Sequence, residues 1–513
     1  MSTAPDIKPS PHAVIGRPQS RIDGPLKVCG RATYTSDVDL PGMLYAVPVC
    51  STIASGRITS LEFAAAEALP GVKLVLHRGN IGRLYRIPGN SFENGYVDEQ
   101  RPPFEDDVIR YYGQYVACVI ADTFETASAA AAAIKVGYDV APHDVSTTLV
   151  PDEKPGTQSE RGDPDGAFAS APVRIDATYV TPVETHNPIE LHSTVADWDG
   201  DSYTFYETSQ AVSNHRGTLV QMLGVPKEKV RVISRYLGSG FGGKLWMWPH
   251  SLLAAAASRQ TGRPVKLVLS RRMMFQNVGH RPVTQQRVRL AATQDGKLVS
   301  LQHDFLNHSA LADDYTEDCG EATPQMYSTA NLRVTGGTVR RNVGSPTSMR
   351  GPGAVPGLYA LESAMDELAI ALKIDPVELR LRNEPSEDES SGLPFSSRHL
   401  VECLKTGAER FGWSQRTPEV GSMKRDGLTL GWASLRAAGR ACASRRRHPS
   451  ICARMARPAS CAARRTSERA RTRFSRSSSR SKRALRSTRL KSASAIPRCR
   501  PGRSRADRRR RRR

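Results

Sequence analysis

No stretch of this 513-residue chain is apolar for long enough to cross a bilayer. The longest such runs, ASAAAAAI among them, fall well short of the roughly 20 residues that a spanning helix needs. The opening MSTAPDIKPSPHAVIGRPQSRIDG lacks the apolar core of a secretory signal. A cytoplasmic protein is therefore expected, or a periplasmic one exported together with a partner. Cysteine is sparse, and the five that precede residue 434 (Cys29, Cys50, Cys118, Cys319 and Cys403) show no CxxC or other short ligand spacing. They read as buried thiols of a reducing compartment and argue against an iron–sulfur cluster held by this chain alone.

Acidic residues are almost missing from the last 80 positions. Residues 434–513 hold 29 of the 73 Lys and Arg but only Glu468 and Asp507, so the overall charge of +22 arises there, and the first 433 residues carry a net charge of −5. Phe474 is the sole aromatic of that segment, and Arg, Ser and Ala dominate it. Such a composition buries no core, so a disordered tail is expected. One reading is an Arg-rich arm for nucleic acid or an acidic partner. The reading preferred here is out-of-frame translation of G+C-rich DNA, which makes a nucleic-acid partner unlooked for.

What is present before residue 434 reads as α+β. A first α/β block spans about 15–145, with strands in GVKLVLHRG and YVACVIAD and a helix over ASAAAAAIKV that Asp122 is expected to cap. The Pro-, Gly- and Asp-rich 146–172 reads as an exposed linker. A second block, 173–433, contains the strands YTFYETSQ, VRVIS, PVKLVLS and LVSLQHDFLNHS. In GLYALESAMDELAIALKI, Leu358, Leu361, Met365, Leu368 and Leu372 share one face, with Glu362, Asp366 and Glu367 expected in water. Asp375-Pro376 supplies a cap and first turn for the next helix.

Three segments carry candidate chemistry. In RYLGSGFGGK, Gly238, Gly240 and Gly243 satisfy G-x-G-x-x-G between a strand and a helix. A nicotinamide site also needs an acidic residue after the next strand, where this chain has Arg271-Arg272; NAD is disfavoured and NADP is a minor alternative. With Gly242 and Phe241 added, the backbone N–H groups of Gly240 to Gly243 are expected to approach a phosphate or oxo ligand. The plainer reading of the glycines is close packing. In SMRGPGAVPG, Arg350 at the mouth of a helix predicts an anion-binding corner; a surface arginine on a loop is the alternative. In VETHNPIELH, the H-x3-E-x-H spacing of His186, Glu190 and His192 is no helical zinc motif, and a polar network beneath the site is expected instead.

Taken in order, ETHNPIELH, YETSQAV, LGSGFGGK, SMRGPGAVPG and MDELA resemble the molybdenum-binding large subunit of the xanthine dehydrogenase/aldehyde oxidoreductase family. RIDGPLKVCGRATYTSDVDLPGMLYA is similar to the opening of that family's hammerhead domain, so the resemblance covers about 15–433: a hammerhead domain, then the first part of the molybdopterin-binding domain. The wording VETHNPIE and RGPG resembles periplasmic-type aldehyde oxidoreductases of bacteria more than xanthine enzymes.

The resemblance implies a molybdenum cofactor, as the cytosine dinucleotide in many bacteria, beside Gly240, Phe241, Gly242 and Gly243. It implies a cavity lined by Arg350 and by Glu184, which stands where xanthine-type members carry glutamine. The metal would be held through the cofactor and not by protein ligands. The implied reaction turns an aldehyde into a carboxylic acid with water as the oxygen source, through a metal-bound hydroxide, a sulfido hydride acceptor and a carboxylate general base. Iron–sulfur and FAD subunits would take the electrons, and an N-heterocycle hydroxylase is the alternative within the family.

The family's general-base glutamate lies in a further half that does not follow residue 433 here. A family segment Gln-Asp-Ile-Gly-Thr-Gly-Thr-Tyr, written with suitable codons and read one nucleotide later, encodes Arg-Thr-Ser-Glu-Arg-Ala-Arg-Thr. Those are residues Arg465 to Thr472. A frameshift near residue 433 is the expectation, with the chain as written inactive.

Overall fold

The computed structural model describes residues 18–436 apart from 88–89, 92–94, 152 and 396. All but the first three residues of the expected disordered tail lie outside the described residues. Of those three, Arg436 is buried, its N–H donating to Glu362 Oε2 at 2.9 Å.

Two sheets organise the chain. In the seven-stranded sheet the order is Val230–Ile233, Tyr203–Glu207, Ser193–Trp198, Val265–Val268, Leu44–Cys50, Tyr115–Ala121 and Val72–Leu76. Tyr115–Ala121 (YVACVIA) is apolar without alternation because it is covered on both faces, and all seven residues are buried. Leu44–Cys50 pairs in parallel with Val265–Val268, so strands from both sequence blocks share one sheet. The block boundary near residue 145 is thus a boundary in sequence and not a gap between cores. A three-stranded sheet of Val108–Ile109, Gly56–Glu62 and Lys135–Val140 completes the N-terminal part.

The five-stranded sheet runs Gly156–Arg161, Leu332–Arg341, Leu298–Ala310, Thr284–Ala292, Val173–Thr181. The expected linker 146–172 is therefore corrected: it supplies the edge strand Gly156–Arg161 and the helix Pro164–Ser170. Its polar composition suits an edge strand with little buried surface, which composition alone does not separate from a loop.

Helix Ala354–Leu372 lays Leu358, Leu361, Met365 and Leu368 on this sheet, with Leu372 at the margin. Glu362, expected in water, is buried instead: it accepts from Tyr327 Oη and, at 2.8 Å, from Arg380 Nε. A sequence pattern does not reveal an arginine arriving from the next helix. Asp375 does cap that helix, accepting from the N–H groups of Val377 and Glu378. The N-terminal helix Phe124–Ala133 is capped by Thr123, not Asp122, which pairs with Lys73 and Arg263. That helix ends before Lys135, where the chain turns into a strand. Of the five cysteines all are free; Cys118 and Cys319 are buried, Cys29 and Cys50 half-buried, and Cys403 is exposed, contrary to expectation.

The glycine segment does not form a dinucleotide unit. In such a unit the strands on either side of the loop and helix lie side by side. Here Val230–Ile233 and Val265–Val268 are separated by two other strands, and the helix His250–Thr261 starts well after the last glycine. No helix among the described residues is long and apolar enough to cross a membrane.

Candidate functional site

Residues 238–244 fold into a tight loop whose glycines are dictated by what lies against them. A Cβ on Gly240 would stand 2.1 Å from Gln210 Oε1, and one on Gly242 would stand 2.1 Å from the Ser348 carbonyl oxygen. Between them Phe241 is held in the left-handed region at φ 53°, with 42% of its surface exposed. An L-residue there is strained by roughly 1–2 kcal/mol, so the surroundings must hold it.

Gln210 does much of the holding. Its Oε1 accepts from Gly242 N at 3.0 Å and Lys244 N at 3.3 Å, while its own N–H donates to Lys244 O at 2.7 Å. Gly243 N–H turns back to Gly240 O at 3.0 Å. Of the four amides expected to face a ligand, those of Gly242 and Gly243 are therefore already used. The Gly240 and Phe241 N–H groups have no partner among the described residues.

Beneath the loop lies a dry polar layer. Lys244 is fully buried, its Nζ 2.7 Å from Glu190 Oε2 and 2.9 Å from the Glu190 carbonyl oxygen. Glu190 Oε2 also accepts from Gly238 N at 2.8 Å. Burial lowers the Lys244 pKa, and the Glu190 carboxylate opposes this. His192 Nε2 and Trp248 Nε1 both donate to Gly243 O at 2.9 Å, and burial holds the His192 pKa well below the usual imidazole value. His186 Nε2 donates to Ser348 O at 2.9 Å, the carbonyl that also excludes a side chain at position 242. So His186, Glu190 and His192 each meet a different part of the layer; among the described residues no group of three potential ligands surrounds a metal position.

The third segment is tied to the first. Arg350 N–H donates to Phe241 O at 2.7 Å, while the Arg350 guanidinium is exposed and has no hydrogen bond or ion pair among the described residues. The helix mouth behind it is partly occupied: Gly353 N–H donates to Glu317 Oε1 at 2.7 Å. Glu317 is wholly buried, and its Oε2 accepts from Tyr315 Oη at 2.6 Å. Burial raises its pKa. Glu184 is 39% exposed at its side chain, and its Oε2 receives Arg281 Nη1 at 2.5 Å. Glu184, Phe241 and Arg350, far apart in sequence, thus belong to one network.

Residues 149–384 match the molybdopterin cofactor-binding domain family, and residues 29–142 match the aldehyde oxidase and xanthine dehydrogenase a/b hammerhead domain family. The nicotinate dehydrogenase large molybdopterin subunit of Eubacterium barkeri is 30% identical over 389 residues, which are 72% of this chain and 89% of that protein. The chain belongs to the xanthine dehydrogenase/aldehyde oxidoreductase family of molybdenum hydroxylases.

Within this family, the aldehyde oxidoreductase molybdenum-binding subunit PaoC of Escherichia coli (strain K12) is 39% identical over 427 residues, 81% of this chain and 57% of PaoC. The chain thus spans a little over half the length of that relative. The aldehyde oxidoreductase structure from Desulfovibrio gigas superimposes with a TM-score of 0.70 at 26% identity, over 80% of this chain and 48% of that one. The fold is the hammerhead domain followed by molybdopterin-binding structure. The sequence does not single out Arg281 or Glu317, and Gln210 lies within YETSQAV with no assigned role. Only the segment order pointed to Gln210; nothing local marks the other two.

Proposed function

We propose that this chain is the molybdenum-cofactor-binding subunit of an aldehyde oxidoreductase that forms carboxylic acids with water as the oxygen source. In this reading the cofactor is molybdopterin cytosine dinucleotide, and iron–sulfur and FAD groups sit on partner subunits. The observation that carries it is the convergence of unpaired donors on one loop: the N–H groups of Gly240 and Phe241, next to an unpaired Arg350. Such a set fits an oxyanion-bearing group, because close backbone approach and a free guanidinium both favour it.

When bound, the cofactor supplies the oxygen-transfer and two-electron chemistry. The residues of this chain do the rest by binding and orientation. Gly240 and Phe241 donate hydrogen bonds, the Phe241 ring keeps water from one side, Arg350 provides positive charge, and Glu184 offers an acceptor. No residue of this chain is assigned the general-base role. The aldehyde assignment is supported by the greater identity to PaoC, 39%, than to the Escherichia coli (strain K12) xanthine dehydrogenase subunit, 30%.

The reading further holds that a shifted frame begins near residue 433 and that the chain in its present frame does not turn over. The codon correspondence over Arg465 to Thr472 supports this; those residues lie outside the described ones. Sequencing the gene from codon 400 onward is the first test, with a restored Gln-Asp-Ile-Gly-Thr-Gly segment expected. Confirmation of the Arg-rich frame by genomic DNA would remove the frameshift. The frame-corrected subunit, co-expressed with iron–sulfur and FAD subunits, is then expected to release molybdenum and CMP in equal amounts on acid hydrolysis and to oxidise benzaldehyde faster than xanthine. Absence of CMP would reject the dinucleotide, and preference for xanthine would reject the aldehyde assignment.

A further inference from the structure

Arg281 is a buried arginine at the point where the candidate segments meet. Its side chain is 3% exposed. Nη1 donates to Glu184 Oε2 at 2.5 Å, and Nε lies 3.3 Å from Glu317 Oε1. Nη2 donates to the carbonyl oxygens of Met349 at 3.0 Å and Arg350 at 2.8 Å, with that of Gly351 at 3.5 Å. The backbones of Arg281 and Glu184 also exchange hydrogen bonds in both directions, of 2.9 and 3.2 Å.

A planar guanidinium presents its donors in a fixed fork, so the four oxygens that Nη1 and Nη2 meet are fixed relative to one another, with the Glu317 carboxylate beside Nε as an ion-pair contact. Three of them are the consecutive carbonyls that flank and include Arg350. Fixing those peptides fixes the Arg350 Cα–Cβ direction, and the Arg350 N–H then reaches Phe241 O. The same fork occupies Glu184 Oε2, and Glu184 Oε1 takes no hydrogen bond among the described residues.

We infer that Arg281 is a positioning residue of this site: by binding the carbonyl oxygens of Met349, Arg350 and Gly351 together with one oxygen of Glu184, it aims the Arg350 guanidinium and fixes the Glu184 carboxylate beside it. The inference rests on the proposed reading of Glu184 and Arg350 as cavity residues. Arg281 itself is buried, so it acts through Glu184 and the Met349 to Gly351 backbone.

The test compares the full chain with Arg281→Met and Arg281→Lys by amide hydrogen exchange and by phenylglyoxal modification of Arg350 in the presence of inorganic pyrophosphate. Exchange at the Arg350 and Gly353 amides is expected to accelerate at least tenfold in both variants, since one ammonium does not span the oxygens that the fork holds. Leu368→Ala, which weakens a core remote from Arg281, is expected to leave those two amides within twofold of the parent. Pyrophosphate is expected to protect Arg350 in the parent and to need at least tenfold higher concentration in the variants.

Unchanged exchange at Arg350 and Gly353 in the Arg281 variants overturns the inference. So does failure of both variants to fold, which would make Arg281 a purely structural residue. If the parent shows no protection by pyrophosphate while the two amides still respond to Arg281, the anion-cavity reading fails and the positioning of Arg350 by Arg281 stands.

Discussion

Gln210 grips the Lys244 backbone with both its own backbone and its side chain: the Gln210 N–H donates to Lys244 O at 2.7 Å, and the Lys244 N–H donates back to Gln210 Oε1 at 3.3 Å. This pairing closes the glycine loop, in which the Gly240 and Phe241 amides have no partner among the described residues. Gln210→Met removes a carboxamide oxygen shared by two N–H groups, and leaving them unsatisfied costs about 1–3 kcal/mol per group. Denaturant unfolding should register that loss, and molybdopterin captured by the full chain should fall. Gln210→Glu keeps the acceptor and should retain most of both; equal losses in the two variants would show that the acceptor is unimportant.

Gly242 and Gly262 form a matched pair for separating backbone strain from crowding. Both have positive φ, 112° and 62°, but a Cβ on Gly242 would meet Ser348 O at 2.1 Å, whereas one on Gly262 meets nothing within 4 Å. Gly262→Ala is expected to cost about 1–2 kcal/mol from the left-handed backbone alone. Gly242→Ala adds overlap worth about 1–3 kcal/mol or displaces the Ser348 loop. Thermal unfolding of the two variants should differ accordingly, and similar midpoints would contradict the close approach of the two loops.

The buried pair of Lys244 and Glu190 should be expensive to break and cheap to replace. Lys244→Met leaves the Glu190 carboxylate without its cation and is expected to destabilise by about 3–5 kcal/mol. Adding Glu190→Met to it should recover part of that loss, although Gly238 N–H then loses its acceptor. A double-mutant cycle in urea measures the coupling, and strict additivity would refute it.

Stability should peak near pH 6.5, with opposite groups shaping the two limbs. Burial pushes Asp98 and Glu207 up to about 7 and Glu99 up to about 8, with Asp313 adding to the rise at Asp98 and Glu99. Between about pH 4 and those values the native state binds more protons than the unfolded chain, so these groups lose stability as pH rises. Burial pushes His250 and His280 down to about 3 and His215, His303 and His308 down to about 4. Those histidines stay neutral where the unfolded chain protonates them, so their contribution is lost as pH falls below about 6.5. Below pH 6.5 the five histidines, joined by His186 and His192 that burial also lowers, outnumber the three acids, joined by Glu317 and Asp197 that burial also raises; above it the acids dominate. Melting temperatures from pH 5 to 8.5 should trace this curve, and Glu99→Gln should flatten the limb between pH 7 and 8. A midpoint that keeps rising to pH 8 would reject the assignment.

Much of the site was legible in the sequence because local chemistry marks it. The glycines at 240, 242 and 243, the arginine beside Gly351 and the ordered segments around them mark the loop that the structure brings together and, by resemblance, its family. The helix face of Leu358 to Leu372 and the Asp375 cap follow from periodicity and from a side chain's reach to its own next turn. Where reasoning failed, the partner was distant in sequence. Glu362 looks solvent-facing until Arg380 and Tyr327 arrive, and 156–161 looks like a linker until Leu332–Arg341 lies beside it.

The sequence by itself determined which backbone positions must be glycine, which helix faces are apolar and where the charge lies, because these depend on residues a few positions apart. Tertiary structure alone decided that the Gly242 amide is already taken by Gln210, and that one buried arginine joins Glu184 to the carbonyls around Arg350. Those choices rest on hydrogen bonds and ion pairs between residues 32 to 97 positions apart, whose geometry exists only once the sheets have brought the loops together.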